Sequence, residues 1–411
     1  MPNRERLLDP TFRTGSVSVM VLALGAISGI LIARALGASG RGELVAAQAA
    51  PMILGMLGSL GMSESVAYCL AHSREPAQSE DLSSAVPTAL AIVLAASTLL
   101  AIAGAIVYPL FISDQPADVV AASRIMMLYG VGLGPVLVAQ GYYRGRGQID
   151  KWNAMRLLPA LAWTTSSIVV VLFGATVFRV SVGLVAASFA SSSLALISIA
   201  SLVRAGRPSR IRASELLRFG VPAAASSFPR SLNASVDQVL LIPYTSSAQL
   251  GVYALAVTWS GIISPIGSAG AMSRFPEVAA RSGIDQWRFV RSILLRAVMV
   301  SSVIGLLLAA ITPWAIPVIF GTSYESGIGV TAAMVVAGIM LAIKDSTTQC
   351  LWASGRPGLL LVSDVVALAF TLSILLVLVP HIGVWAAVIA SVVAYSVSSF
   401  GGVAMLRSAY R

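Results

Sequence analysis

Apolar residues fall in runs of about 20, separated by short polar breaks, along the whole chain. A helix of that length crosses a hydrocarbon core of about 30 Å. A membrane barrel would alternate apolar and polar positions, and these runs do not. Twelve spans are predicted, at about 14–34, 43–70, 83–112, 121–143, 153–176, 181–203, 216–241, 249–275, 288–320, 326–352, 357–379 and 382–405. Turn residues and charges fill the breaks, as in "GASGRG", "SREPAQSED", "RGRGQIDK" and "RAGRPSR". Composition agrees with the pattern. Of the 411 residues, 57% are hydrophobic and 11% charged, whereas a soluble domain carries about 25% charge. The mean hydropathy is +0.87. The expected fold class is an all-α polytopic membrane protein.

The formal net charge of +10 changes the picture only through its placement. With the N-terminus inside, all but six of the 27 Lys and Arg residues lie in cytoplasmic loops or at cytoplasmic helix ends. Arg34, Arg41, Arg124 and Arg179 fall outside, and Arg230 and Lys344 lie within spans. This asymmetry predicts an even number of helices with both termini cytoplasmic, in a bacterial cytoplasmic membrane. It argues for membrane orientation rather than nucleic-acid binding. The first span has a basic start, and "ARA" at 33–35 mimics a cleavage site. Its apolar part is longer than the 7–15 residues of a signal peptide, so it is expected to stay as a helix.

The most basic loop, "RAGRPSRIRASELLR", runs into an amphipathic lead-in at Glu215–Arg218. It is expected to lie against anionic lipid headgroups as a linker at 206–218. It would join an N-terminal six-helix bundle, 1–205, to a C-terminal one, 219–411. No loop is long enough for a soluble catalytic domain, so an enzyme is not expected. A membrane glycosyltransferase would need large outer loops with grouped charges. Cys69 and Cys350 read as buried small hydrophobes. His72 and His381 fall in separate loops, and no Cys/His cluster has metal-ligand spacing. No cofactor is expected.

The two halves carry a faint repeat. "ASGRGELVAAQ" (38–48) and "SAQLGVYALAV" (247–257) are both short outer turns leading into a helix. Gly42 matches Gly251, Gly58 matches Gly267 and Gly61 matches Gly270 at one offset. Gly145-Arg146 in "YYRGRG" matches Gly355-Arg356 in "LWASGRP" at nearly the same offset. Six spans per half predict parallel repeats related by an axis along the membrane normal. "GSLGMS" and "GSAGAMS" in spans two and eight suit close helix approach.

These same stretches carry a family resemblance. "ARALGASGRGELVAAQA" followed by "GMSESVAYCLA", and "ELLRFGVPAAASS…VDQVLLIPYTSSAQLGVYALA", resemble the multidrug/oligosaccharidyl-lipid/polysaccharide (MOP) exporter superfamily. "YYRGRGQ" and "LWASGRP" resemble the ends of its helices four and ten. The likeness is nearest to the polysaccharide-biosynthesis branch of lipid-linked oligosaccharide flippases. It implies two six-helix bundles, a V-shaped central cavity and alternating access. The substrate would be a polyprenyl-diphosphate-linked oligosaccharide, moved from the inner to the outer leaflet. The rival on the same fold is a MATE-like antiporter of small organic cations, driven by H+ or Na+.

Charged residues inside the spans are the candidate site. Ser226, Arg230, Asn233 and Asp237 share one face of span seven. Arg230 lies about 21 Å along that helix, near the midplane, where an ionisable group costs about 2.5–3.5 kcal/mol and must face a cavity or a partner. Pro222 and Pro229 predict kinks or unwinding in the same helix. Arg230 and Lys344, with Asn233, are expected to contact a diphosphate, because a guanidinium donates two hydrogen bonds to phosphate oxygens. A structural alternative is open for each. Arg230 can pair with an acid on another helix, since Asp237 is about 10 Å away on its own. Lys344 can pair with an acid such as Asp364. Asp237, Asp345 and Asp364 are candidates for ion coupling. Glu64 and Arg274, at near-equivalent points of the repeat, are candidates for an inner gate, testable by charge reversal and rescue.

Overall fold

A computed structural model describes residues 10–72, 84–233, 235–355 and 357–408. Among these, all regular structure is helical, with one short 3₁₀ turn at Thr322–Gly327. In chain order the helices are α1 (Pro10–Gly58), α2 (Met62–His72), α3 (Ala85–Phe111), α4 (Ala117–Met126), α5 (Leu128–Gly145), α6 (Ile149–Leu172), α7 (Val177–Ser198) and α8 (Ala200–Ala205). There follow α9 (Arg210–Asn233), α10 (Val236–Leu241), α11 (Ser247–Gly261), α12 (Ile263–Ser273), α13 (Phe275–Ala279), α14 (Gly283–Phe320), α15 (Ile328–Ala353), α16 (Pro357–Ile382) and α17 (Val384–Ser408).

Ten helical stretches among the described residues are long and apolar enough to cross a membrane. The first, Arg13–Ala71, runs to 59 residues, far beyond the roughly 20 that one crossing needs. It is not one straight helix. Gly37 sits inside α1 at φ 66°, ψ −177°, a conformation that costs glycine little and other residues more. The predicted span at 216–241 is absent from the ten. It comprises α9, with its charged start, and α10, and the helix stops at Asn233 and restarts at Val236. The single polar stripe expected on span seven is therefore divided, with Arg230 and Asn233 on one piece and Asp237 on the other. Ser226, which was to extend it, has a side chain outside the described set, as do Arg4, Arg6, Arg74, Arg356 and Arg411.

The chain forms two compact units. One holds residues up to Leu36 and Ala46–Phe228; the other holds Gly37–Val45 and everything from Pro229. In the first unit α5 is the hub and packs against α2, α3, α6 and α7. Its core is Met62, Val66, Val86, Ala89, Val93, Val136, Ala139 and Leu216. In the second unit α15 is the hub and packs against α11, α12, α14 and α17. Small residues let these helices approach. On α7, Ser181, Ser188, Ser191 and Ser192 are all buried, and Ser188 and Ser191 donate to carbonyls of their own helix. Large apolar side chains such as Leu99, Ile106, Leu110, Leu172, Leu306 and Val318 are outward and exposed. Polar and small inside with apolar outside is the arrangement a lipid solvent favours, since helices gain nothing by hiding leucine from hydrocarbon.

The short stretch Gly37–Val45 docks tightly within the second unit. A Cβ on Gly42 would strike the Ser247 carbonyl and come within 2.9 Å of the Gly251 nitrogen. A Cβ on Gly251 would strike the Ala38 carbonyl and come within 2.9 Å of the Gly42 nitrogen. The contact is reciprocal: Gly42 meets the residue four before Gly251, and Gly251 meets the residue four before Gly42. Tyr324 fastens the same stretch, donating a 3.0 Å hydrogen bond to the Gly37 carbonyl.

Candidate functional site

The second unit gathers most of the sequence-predicted polar residues into a buried network. Asp364, on α16, is its centre, 2% exposed. It takes two cations. Arg230 Nε, near the end of α9, lies 3.1 Å from one carboxylate oxygen. Lys344 Nζ, from the hub α15, lies 2.9 Å from the other. Lys344 is almost fully enclosed, whereas the Arg230 side chain is 35% exposed. Each cation also meets an aromatic face: the Arg230 guanidinium carbon is 5.5 Å from the centre of the Trp352 ring, and Lys344 Nζ is 5.7 Å from that of Tyr395. Both bases thus have a carboxylate partner on another helix.

Asn233, one turn beyond Arg230, is buried. Its side-chain oxygen accepts a 2.5 Å hydrogen bond from Thr371 of α16, whose hydroxyl is also 3.0 Å from the Ala367 carbonyl. Asp237, in the first turn of α10, has uncharged partners: it accepts from the Tyr253 hydroxyl of α11 and from the Gln238 backbone N–H at 2.8 Å. The Tyr253 hydroxyl in turn lies 3.5 Å from that of Ser391 on α17. Asp345, beside Lys344 on α15, accepts from the Ser264 hydroxyl of α12. The network therefore holds three carboxylates and two cations on four helices.

Glu64 and Arg274 fall in different units. Glu64 is exposed in the first turn of α2 in the first unit, and Arg274 follows α12 in the second. Among the described residues, no group of His, Cys, Asp and Glu could hold a metal ion.

Sequence reasoning offered Asp364 as an acid for Lys344 but missed the hydroxyl and aromatic partners. Thr371 could have been found: it lies seven residues after Asp364, on the same face of an otherwise apolar helix. Tyr253, Ser264 and Trp352 sit in apolar surroundings that give no hint of which helix they meet. Tyr253 is fully buried, so its removal tests whether Asp237 depends on it. Tyr253→Phe is expected to destabilise the protein by about 1–3 kcal/mol, because it takes the hydroxyl donor from one oxygen of a buried carboxylate and leaves only the Gln238 N–H on the other. Thermal unfolding in detergent reads this, with Tyr244→Phe on an exposed tyrosine as the neutral comparison.

Comparison with known proteins places the fold. No curated protein sequence matches this chain significantly. Several solved structures do share its fold. One is described as the inward-facing conformation of a multidrug resistance MATE family transporter of the MOP superfamily, at TM-score 0.77 and 15% identity over 97% of this chain and 98% of that one. Another is the lipid II flippase MurJ in an inward closed conformation, at TM-score 0.78 and 12% identity over 96% of this chain and 87% of that one. A third is a MOP superfamily transporter from Pyrococcus furiosus, described as having a binding pocket of reversed polarity, at TM-score 0.52 and 16% identity over 98% of this chain and 97% of that one. These identities establish fold alone. The family model for polysaccharide biosynthesis proteins matches residues 7–280. A multi-pass helical protein that shares the fold of MOP-superfamily transporters, the chain belongs to the polysaccharide biosynthesis protein family.

Proposed function

We propose that this alternating-access transporter is cation-coupled and MATE-like, exporting small organic cations. The observation that carries this is the charge balance of the second unit's network. Arg230 and Lys344 both face Asp364, while Asp237 and Asp345 face hydroxyls. A site with more carboxylates than cations attracts a cation and offers groups that can exchange a proton. A diphosphate arriving there would have to displace Asp364 from its two partners. The MATE structures with the same fold support this direction.

The flipping of a polyprenyl-diphosphate oligosaccharide is favoured by a different observation, the family model over residues 7–280. Arg230 suits it best, being part-exposed beside Trp352 and able to turn its remaining donors to phosphate. In either case the arrangement is read as twelve spans: the ten apolar stretches, with Gly37 dividing the first and α9–α10 added. The halves are read as parallel six-helix repeats joined by the basic linker at 206–218, with both termini in the cytoplasm.

One experiment separates the two substrates. The protein is reconstituted into liposomes, and two fluxes are followed in the same vesicles: uptake of a fluorescent organic cation driven by a proton or sodium gradient, and translocation of a fluorescent polyprenyl-diphosphate sugar. Gradient-driven cation uptake, lost in Asp237→Asn and Asp345→Asn, is the expected result. Lipid-sugar translocation without cation uptake, lost in Arg230→Gln, would move the assignment to the flippase.

A further inference from the structure

A cationic site lies in the first unit, at the turn between α5 and α6, far in sequence from the network around Asp364. Residues 140–156, "QGYYRGRGQIDKWNAMR", carry Arg144, Arg146, Lys151 and Arg156 against one acid, Asp150. That acid is already taken by Arg13, with which it forms an ion pair. The cations are held on aromatic plates. The guanidinium carbons of Arg144 and Arg156 lie 5.8 and 4.9 Å from the centre of the Trp152 ring. Lys151 Nζ lies 5.5 Å from that of Tyr143. The plates are fixed from behind: Tyr143 is buried and donates a 3.0 Å hydrogen bond to the Ser198 carbonyl, and Trp152 packs on the hydrophobic core. Arg156 is steadied further by a 2.9 Å hydrogen bond to Ser18, which leaves other guanidinium donors open.

Beside this turn runs a small cleft between α1 and α6, with Val17, Ala154 and Leu157 along its wall and Asn153 and the Arg13–Asp150 pair at its rim. An apolar cleft beside a turn with a net excess of cations, where a membrane-spanning helix ends, has the two-part character of a phospholipid: chains in the cleft, phosphate at the turn. Most of the chain's basic residues share the side of the membrane that this turn would occupy, which is the cytoplasmic side by the positive-inside rule. Anionic lipids of that leaflet attract juxtamembrane cations by about 1 kcal/mol each.

We propose that the α5–α6 turn is a binding site for the headgroup of an anionic glycerophospholipid of the cytoplasmic leaflet, with Arg144, Lys151 and Arg156 holding the phosphate. Arg144 and Arg156 are preset by Trp152, so less ordering accompanies binding than for free arginines. The site is separate from the basic linker at 206–218, where a diffuse field from charges such as Arg207 and Arg210 would act.

The full chain in lipid nanodiscs tests this. Discs are formed from phosphatidylcholine with a minor share of phosphatidylglycerol, and lipids retained by the protein are counted by native mass spectrometry after mild stripping. Wild type is expected to retain phosphatidylglycerol selectively. Lys151→Gln and Arg156→Gln are each expected to weaken that retention about 5-fold. Arg207→Gln with Arg210→Gln, in the linker, is expected to leave it unchanged. Trp152→Leu keeps every charge but removes the plate, and is expected to lower retention while Arg204→Gln does not. Equal retention of both lipids by wild type would overturn the proposal. So would equal losses from the linker variant, which would mean a diffuse field, or displacement of the lipid by dilute inorganic pyrophosphate, which would mean a soluble ligand.

Discussion

Replacing Asp364 with Asn is expected to be the most damaging single substitution within the spans. The carboxylate is 2% exposed and is the partner of both Lys344 and Arg230. Removing its charge strands an ammonium that is only 5% exposed. Breaking a buried pair from one side costs about 3–5 kcal/mol, because an uncompensated charge stays behind. Arg230 suffers less, being 35% exposed and able to reach water. Expression and thermal unfolding in detergent read the loss. The decisive comparison is the double variant Asp364→Leu with Lys344→Met, which removes both charges at similar volume. It is expected to recover most of the stability. If it folds but does not transport, the network works in the transport cycle. If it folds and transports normally, the network only holds α15 to α16. A single Asp364→Asn as stable as wild type would mean that Lys344 finds another partner without cost.

Gly42→Ala is expected to be nearly as disruptive, although it adds one methyl group. That methyl would meet the Ser247 carbonyl, part of a backbone that cannot swing aside as a side chain can. Forced overpacking of this kind costs about 1–3 kcal/mol. Gly251→Ala should act alike, since its methyl would meet the Ala38 carbonyl. The two are expected to be less than additive, because the gap opened by the first admits the second. Gly270→Ala is the comparison. Nothing lies within 4 Å of its added Cβ, so it should unfold with wild type. Hydrogen exchange at residues 38–45 is expected to rise in both disruptive variants while the α15 core stays protected. If Gly42→Ala matches wild type in both measurements, the crossing is looser than its backbone spacing implies.

The spans were legible because hydrocarbon thickness fixes their length and leaves little freedom in composition. The Gly42–Gly251 match was legible as a faint repeat, and its physical meaning is that each glycine admits the other's backbone. The partner of Lys344 was legible as one of two alternatives, since a buried ammonium requires an acid and Asp364 was in reach of a neighbouring span. What stayed hidden was pairing across helices. Nothing local in "GVYALA" says that Tyr253 reaches Asp237, and nothing around Ser264 says that it donates to Asp345. The division of span seven was half legible. Pro222 and Pro229 announced a disturbance, but the helix runs through both and stops at Asn233. Asp237 is thereby set in a first helical turn, where backbone N–H groups favour an acid, instead of on the face that carries Arg230.

The placement of Gly37–Val45 within the second unit bears on how the protein is made. Gly37 and Tyr324, which share a hydrogen bond, are 287 residues apart. At ordinary synthesis rates of about 5–20 residues per second, roughly 15–60 seconds separate the appearance of one partner from that of the other. Until Ser247 and Gly251 are made, the nascent chain holds a stretch whose glycine face has nothing to meet. The second unit cannot be completed from its own newly made helices alone. Its final assembly waits on a piece inserted at the start, so a ribosome pause before α11 would leave the early stretch open to the insertion machinery and to any chaperone beside it.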